Sequence, residues 1–350
     1  MNRTATAAFC LLLSIGRQTQ TVSAFEARYA FGDSLRDTGR EPAEPFFHYN
    51  GRWSNGPLWV EYLSTKLGLV YNPANNYAHS GAQVDDMLGQ IDDLVMPAHP
   101  ERCLFVVWAG GNDFLQTYRQ NLVDDAKWER QIEYSISNYF QVIVRLYDKG
   151  VRSVLAPNTV DLTQIPSVNY IPGIYRDYIR RKVQQFNATL AQALDRLNVE
   201  KPDLRVIRMD AYERLEEVLR DPGAYSFIET DRDVLSNIFL FPYDFEGPGA
   251  NYLFWDPIHP TTKAHSIIAG WFLEALGAAE PTRLDVRASG GGVSLFATTL
   301  LTGTSFVLER STNLSNWKDL QTLSVTSAVQ QVVIPANDLP RAFFRLKWQP

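Results

Sequence analysis

From Ala27 to about Gly277 the chain repeats one pattern, a short apolar run followed by a longer stretch of helical period. The runs ARYAFG (27–32), CLFVVWAG (103–110), VRSVLAP (151–157) and LRVIRMD (204–210) are rich in Val, Ile, Phe or Leu and bounded by Gly, Pro or Asp. Runs of that kind read as parallel strands buried on both faces. Between them, PLWVEYLSTKLG (57–68) places Trp59, Tyr62, Leu63 and Leu67 on one helix face, with Gly68 as the stop. Residues 127–150 and 175–198 predict two longer helices, the first ended by Gly150. Parallel strands need crossovers, and helical crossovers cover the sheet, so the pattern predicts an α/β fold: a three-layer sandwich with a mostly parallel sheet.

Near residues 278–282 this pattern stops. The remainder of the chain has period-two or β-branched runs separated by Gly, Asn, Ser and Pro, which predicts five or six short strands in a small all-β domain of about 65 residues. Gly290 to Gly292 reads as a hairpin turn within it. Such a module serves carbohydrate or surface attachment, or acts as a spacer or stabilising appendage. No internal repeat is visible elsewhere.

At the other end, Met1-Asn2-Arg3 precedes an apolar stretch from about Ala5 to Gly16, and a polar segment then ends Val22-Ser23-Ala24. A basic start, a short apolar run and a small-residue site predict a secretory signal peptide cleaved after Ala24; the alternative is a buried first helix. The stretch is shorter than the roughly 20 apolar residues a bilayer span needs. Cys10 lies inside it without the neighbours of a lipoprotein signal. The expected division is a signal peptide (1–24), an α/β domain (25–278) and an all-β accessory module (282–350), in a secreted or periplasmic protein without a transmembrane segment. With 45% hydrophobic and 21% charged residues the chain has the material for a core, which excludes disorder. Its net charge of −6 becomes −8 once Arg3 and Arg17 are removed, the wrong sign for phosphate backbones, so no nucleic-acid partner is expected. Cleavage also leaves Cys103 alone, a small core residue rather than half of a disulfide.

Ser34, in Phe31-Gly32-Asp33-Ser34-Leu35, leaves the first strand's carboxyl end at a glycine turn, the sheet edge where α/β folds bind ligands. Taken singly, a serine after Asp is ordinary turn chemistry. A serine nucleophile needs a base, and the base a carboxylate to orient it. Trp255-Asp256-Pro257-Ile258-His259-Pro260 carries Asp and His three residues apart on a loop stiffened by two prolines, just before the helical run 261–277. The bland alternative is that Asp256 caps a turn and His259 lies on the surface. NYAHSGA (76–82) and Ala109-Gly110-Gly111-Asn112-Asp113 follow extended stretches and reach the same edge. Gly81 offers an unobstructed backbone N–H and Asn112 a side-chain amide; with the Ser34 N–H they make a three-donor oxyanion hole.

FGDSL, the Gly of HSGA, GGND and DPIH, in that order, resemble the four sequence blocks of the GDSL (SGNH) family of serine esterases and lipases. GRWSNGPLWVEYLSTKLGL (51–69) is similar to the segment after the nucleophile in that family's plant-type and lecithinase/haemolysin branch. The resemblance spans about residues 27–277. It implies a flavodoxin-like α/β/α fold and ester hydrolysis through an acyl-enzyme. It also implies catalytic Ser34, Asp256 and His259, an oxyanion hole of Ser34, Gly81 and Asn112, and neither cofactor nor metal. Arg36 departs from it, standing where the branch often has Ser. The stretch from Glu309 to Trp317 resembles C-terminal modules of secreted bacterial proteins.

The expected substrate is a lipid or short-chain acyl ester. The alternatives are a polysaccharide deacetylase of the same mechanism, with the C-terminal module making a glycan or surface contact, and a non-catalytic secreted binding protein. No GxSxG, HExxH, P-loop or GxGxxG motif is present, and His259 and His265, six apart, do not suit two ligands on one helix face. His79 reads as a packing residue, and Asp33 and Asp113 as residues that fix turns through backbone N–H groups. Phe46, Phe47, Trp53, Trp108, Phe114 and Trp255 read equally as pocket wall or core.

Overall fold

The computed structural model describes residues 25–120, 123–241, 243–247, 249–279, 283–289, 292–298, 305–312, 316–324, 329–335 and 343–349, so the expected signal peptide lies outside the described residues. Strands β1 (Arg28–Gly32), β2 (Leu104–Trp108), β3 (Ser153–Pro157) and β4 (Arg205–Met209) form one parallel sheet in that order. Each of β1, β2 and β3 is buried at every position, as continuous apolar runs require. β4 departs from the expected two-sided burial: it is an edge, with Arg208 exposed and Arg205 half-buried.

On the free side of β1 the chain adds one more short parallel segment. Ala30 bridges Asn76, Tyr77 N–H donates to Ala30 O (2.9 Å) and His79 N–H to Gly32 O (3.1 Å). Counting this segment, the spatial order is second, first, third, fourth, fifth, the flavodoxin-like order, which reverses direction between β1 and β2. A crevice therefore opens at the carboxyl ends of those two strands.

The helices are α1 (Trp59–Lys66), α2 (Asp86–Asp92), α3 (Gly111–Gln120), α4 (Asp125–Asp148), α5 (Pro166–Asn169), α6 (Gly173–Glu200), α7 (Ala211–Arg220) and α8 (Thr262–Ala279). The three longer sequence expectations hold within a few residues. α1 stops as its sequence dictates: Gly68 takes φ +72°, and Leu69 N–H reaches back to Ser64 O (2.9 Å). α1 packs on α8, while α4 contacts both α2 and α6; these helices and the sheet share one core that runs from Phe25 to Leu276. The short α2, α3 and α7 have too few apolar positions to stand out in the sequence. α7 buries only Ala211, Leu215 and Val218 and is started by Asp210, whose side chain accepts the Glu213 N–H at 3.1 Å.

A small parallel pair, β5 (Glu229–Asp233) with β6 (Tyr252–Phe254), leads into the segment from Trp255 to Pro260. Among the described residues beyond α8 there are six strands, β7 (Arg283–Ser289), β8 (Gly292–Thr298), β9 (Ser305–Ser311), β10 (Lys318–Ser324), β11 (Val329–Pro335) and β12 (Phe343–Gln349). They pair antiparallel as two three-stranded sheets, β11-β8-β7 and β10-β9-β12, around a small cluster of Leu295, Leu308, Leu323 and Ile334. Ser289 stands opposite Gly292, the register of a tight hairpin, although the two residues between them lie outside the described set. Among the described residues no helix is long and apolar enough to cross a membrane.

Candidate active site

β1 ends at Gly32, whose φ is +138°. A Cβ there would stand 2.1 Å from the Trp108 carbonyl oxygen and 2.4 Å from the Arg36 guanidinium, so only glycine fits where the chain turns off the sheet. Gln90 clamps this glycine from both sides, accepting its N–H at 2.7 Å and donating to its carbonyl at 2.9 Å. Asp33 accepts the Leu35 N–H (3.1 Å), which is the turn-fixing role read from the sequence, and also pairs with the buried Arg36 guanidinium (2.9 Å). Arg36 further donates to Phe31 O and lies against the rings of Trp59 and Trp108. The departure from the family pattern is thus a buried strut behind the Ser34 turn.

Ser34, at the tip of that turn, is 8% exposed. His259 Nε2 is 2.8 Å from Ser34 Oγ, and His259 Nδ1 is 2.7 Å from Asp256 Oδ2. Asp256 Oδ1 accepts the N–H groups of Ile258 and His259, both at 2.8 Å, so the carboxylate folds its own loop around itself. Trp255 N–H donates to His259 O (2.8 Å), and the carbonyls of Pro257 and Pro260 are held by Ser167 N–H and Ser54 Oγ. Burial alone would push the Asp256 carboxyl toward its neutral form; the His259 imidazole, hydrogen bonds from His259 and His48, and the Ile258 N–H outweigh it and hold the group well below the usual carboxylate range. An ionised Asp256 only accepts, so the proton of His259 sits on Nδ1 and Nε2 is free to receive one from Ser34. Geometrically this is a hydroxyl–imidazole–carboxylate relay, able to activate a serine for attack on a carbonyl.

Asn112 follows β2 in the first turn of α3, and its Nδ2 donates to Ala82 O at 3.0 Å. One of its two amide hydrogens is thereby used, and the other remains. Ser34, Asn112 and His259 line the same cavity. Gly81 is not among its lining residues: it sits on an exposed turn at φ +79°, joined to Asn112 through the neighbouring Ala82 carbonyl. Asp113 departs from a mere turn residue. It accepts the Val84 N–H (3.1 Å), Ser135 Oγ (2.6 Å) and Gln131 Nε2 (3.2 Å), tying α3 to α4 and to the turn after Gly81, and burial pushes its pKa up to about 6.

Two groups beside the relay lie outside the four sequence blocks that carry the catalytic candidates. His48 Nε2 lies 3.3 Å from Asp256 Oδ2, although 208 residues separate them in the chain. Trp53, one of the aromatics noted in the sequence, packs against both His48 (5.0 Å) and His259 (5.1 Å), and its Nε1–H donates to Ser80 Oγ at 2.6 Å. Trp108 lines the cavity; Phe114 and Trp255 are core, and Phe46 is exposed. His79 Nδ1 stands 4.0 Å from Glu41, away from the relay. The cavity behind Ser34 holds about 120 Å³ and is walled by apolar side chains, among them Leu115, Val160, Ile165, Leu215, Val218 and Trp271. Among the described residues no group of three or more His, Cys, Asp or Glu is arranged to hold a metal ion.

Residues 29–272 match the family model described as GDSL-like lipase/acylhydrolase. The chain is 25% identical to a GDSL esterase/lipase of Arabidopsis thaliana over 311 residues, covering 69% of this chain and 83% of that protein. It is 26% identical to the thermolabile hemolysin of Vibrio parahaemolyticus over 277 residues, covering 70% of this chain and 62% of that protein. Among solved structures, an acetylxylan esterase of Geobacillus stearothermophilus aligns at 20% identity and a TM-score of 0.45, over 73% of this chain and 96% of that one. With the family model spanning most of the chain, the protein belongs to the GDSL-like lipase/acylhydrolase family and is an ester-hydrolysing serine hydrolase.

Proposed function

We propose that Ser34 is the nucleophile, His259 its base and Asp256 the carboxylate that orients the base. The continuous hydrogen-bonded path from Ser34 Oγ through His259 to Asp256, at 2.8 and 2.7 Å, carries this reading. His259 Nε2 takes the hydroxyl proton as Ser34 Oγ bonds to the ester carbonyl carbon. The resulting oxyanion is held by the Ser34 and Gly81 N–H groups and by the free Nδ2 hydrogen of Asn112. Collapse breaks the bond to the alcohol oxygen, which leaves with the proton from His259. Water, deprotonated by the same imidazole, then releases the acid and restores Ser34.

The cavity supports an aliphatic acyl ester as substrate. An engineered apolar cavity of about 150 Å³ takes benzene, so about 120 Å³ accommodates a buried apolar segment of roughly six carbons. An acetyl group leaves most of that space empty, and a sugar ring finds few polar partners there. Export is part of the proposal, supported by the basic, apolar and small-residue order of residues 1–24. So is the division into catalytic part and β module, the latter in contact with a glycan or surface.

Replacing Ser34 with Ala is expected to abolish turnover and fluorophosphonate labelling while the fold is kept; a labelled, active Ser34→Ala enzyme overturns the assignment. A panel of p-nitrophenyl esters from acetate to palmitate should peak near hexanoate. Acetylated xylan outperforming every ester in the panel would replace the lipid-type reading with the deacetylase one.

A further inference from the structure

Asp256 is bonded by more groups than a relay requires. Its Oδ1 is filled by two backbone N–H groups, and its Oδ2 faces His48 Nε2 at 3.3 Å besides His259 Nδ1 at 2.7 Å. Both partners in the His48 contact have side chains 8% exposed. A hydrogen bond to an ionised, buried group contributes more than one between neutral groups. His48 Nδ1 is buried and has no hydrogen-bond partner. A proton on Nδ1 would therefore be an unsatisfied donor, whereas one on Nε2 meets a carboxylate, so the surroundings select the neutral Nε2–H tautomer.

The loop around His48 is built to hold that ring. Phe47 O accepts the Trp255 Nε1–H at 2.8 Å, which staples the loop to the segment carrying Asp256. Tyr49 N–H donates to Ser54 O (2.9 Å), and the chain reverses through Asn50 and Gly51 at φ 47° and 77°. The Trp53 indole, folded back by this reversal, packs on His48 and His259 together. From the facing loop Asp256 meets the His48 ring directly, and His259 lies across Asp256 and the shared Trp53 indole; on its own loop, His48 N–H donates to the Glu44 carbonyl, and Arg52 is paired with Glu61 at 2.7 Å.

We propose that His48 is a positioning residue for the hydrolytic relay: through Nε2–H it holds the plane of the Asp256 carboxylate on His259 Nδ1 and shares the negative charge that the imidazolium meets. This rests on the serine-hydrolase roles assigned above. With His48 absent, Asp256 turns more freely, and its undivided charge favours protonated His259 in the resting enzyme.

The test is steady-state kinetics of the full chain on p-nitrophenyl hexanoate as a function of pH, for His48→Phe and His48→Gln. His48→Phe keeps a planar ring but no donor. Its kcat should fall about 5- to 20-fold with KM within about twofold, and the acidic limb of kcat/KM should move upward by about half a pH unit. His48→Gln restores an N–H near the Nε2 position and should stay within about threefold of the parent, with its acidic limb unmoved. A His48→Phe enzyme with parental kcat and limb overturns the proposal, as does a His48→Gln enzyme impaired as deeply as His48→Phe. If neither variant folds, nitrogen-15 NMR of the parent still decides, because an Nδ1–H tautomer at His48 overturns the proposal and an Nε2–H tautomer supports it. Fluorophosphonate labelling runs in parallel. A parent that does not label at Ser34 removes the underlying serine-hydrolase roles, whereas a parent that labels, with kinetically silent His48 variants, removes the His48 role alone.

Discussion

Asn112 and Arg36, two side chains near Ser34, differ in what they do: the first carries two duties and the second one. The Nδ2 of Asn112 both ties Ala82 O (3.0 Å) and, in the proposed mechanism, faces the oxyanion. Removing one oxyanion-hole donor typically costs about 10²–10³ in kcat. Asn112→Ala should therefore lower kcat by about that factor with little change in KM, as read by initial rates on a hexanoate ester; a kcat within about threefold of the parent would remove Asn112 from the hole. Arg36 is a strut instead. Burial lowers its pKa while Asp33 opposes the shift, and its guanidinium is enclosed by Asp33, the Phe31 carbonyl and two indoles. Replacing it leaves a buried carboxylate without its partner, a change that typically costs about 3–5 kcal/mol.

Two buried titratable groups on the helices beside this site, one that ties elements together and one without a hydrogen-bond partner among the described residues, have effects on stability that run in opposite directions. Asp113, which ties α3 to α4, has its pKa raised by burial to about 6. Its folded state holds a proton that the unfolded chain has already released, so its contribution is complete at low pH and is lost as pH rises toward and through 6. His265, in the first turn of α8, is pushed down to about 3, first by burial and then by His259 and Arg36. There the unfolded chain takes the proton first, so stability falls as pH drops from about 6.5 toward 3. Between about pH 4 and 6 the two slopes, each at most about 1.4 kcal/mol per pH unit, oppose one another. In thermal melts, Asp113→Asn should steepen the loss of Tm on acidification from pH 6 to 4, and His265→Phe should flatten or reverse it. Parallel Tm profiles for parent and both variants would show that neither group titrates on folding.

At the scale of the whole molecule, the α/β core runs from Phe25 to Leu276, and the six C-terminal strands enclose a cluster of their own. Two cores predict two folding units. A chain of residues 25–279 should retain the parental kcat/KM on a soluble hexanoate ester and melt cooperatively. If the β module binds glycan or a surface, deletion should lose only pull-down on polysaccharide or cell envelope. A truncated enzyme that neither folds nor turns over would make the β module part of the catalytic unit. The buried Cys103 thiol, pushed up by burial to about 11, belongs to the α/β core and should be alkylated only after that core unfolds.

The sequence by itself determined the α/β alternation and the change to β strands near residue 280, and it marked Ser34, Asp256 and His259 as the candidate relay, because each is written locally: apolar runs set the strands and short motifs mark the proposed chemistry. Asp256 and His259 were readable as a pair because three residues of one loop hold them together. Only the tertiary structure decided that β4 is an edge, that α3 begins at the glycine before Asn112, that Arg36 is a buried strut, and that Gly81 lies on an exposed turn outside the cavity lining, with its neighbour Ala82 bonded to Asn112. It also brought His48 to Asp256 across 208 residues. Such contacts leave no local periodicity or spacing. They arise when a parallel sheet reverses its strand order and loops far apart in the chain converge at one edge, a geometry that exists only after the layers have packed.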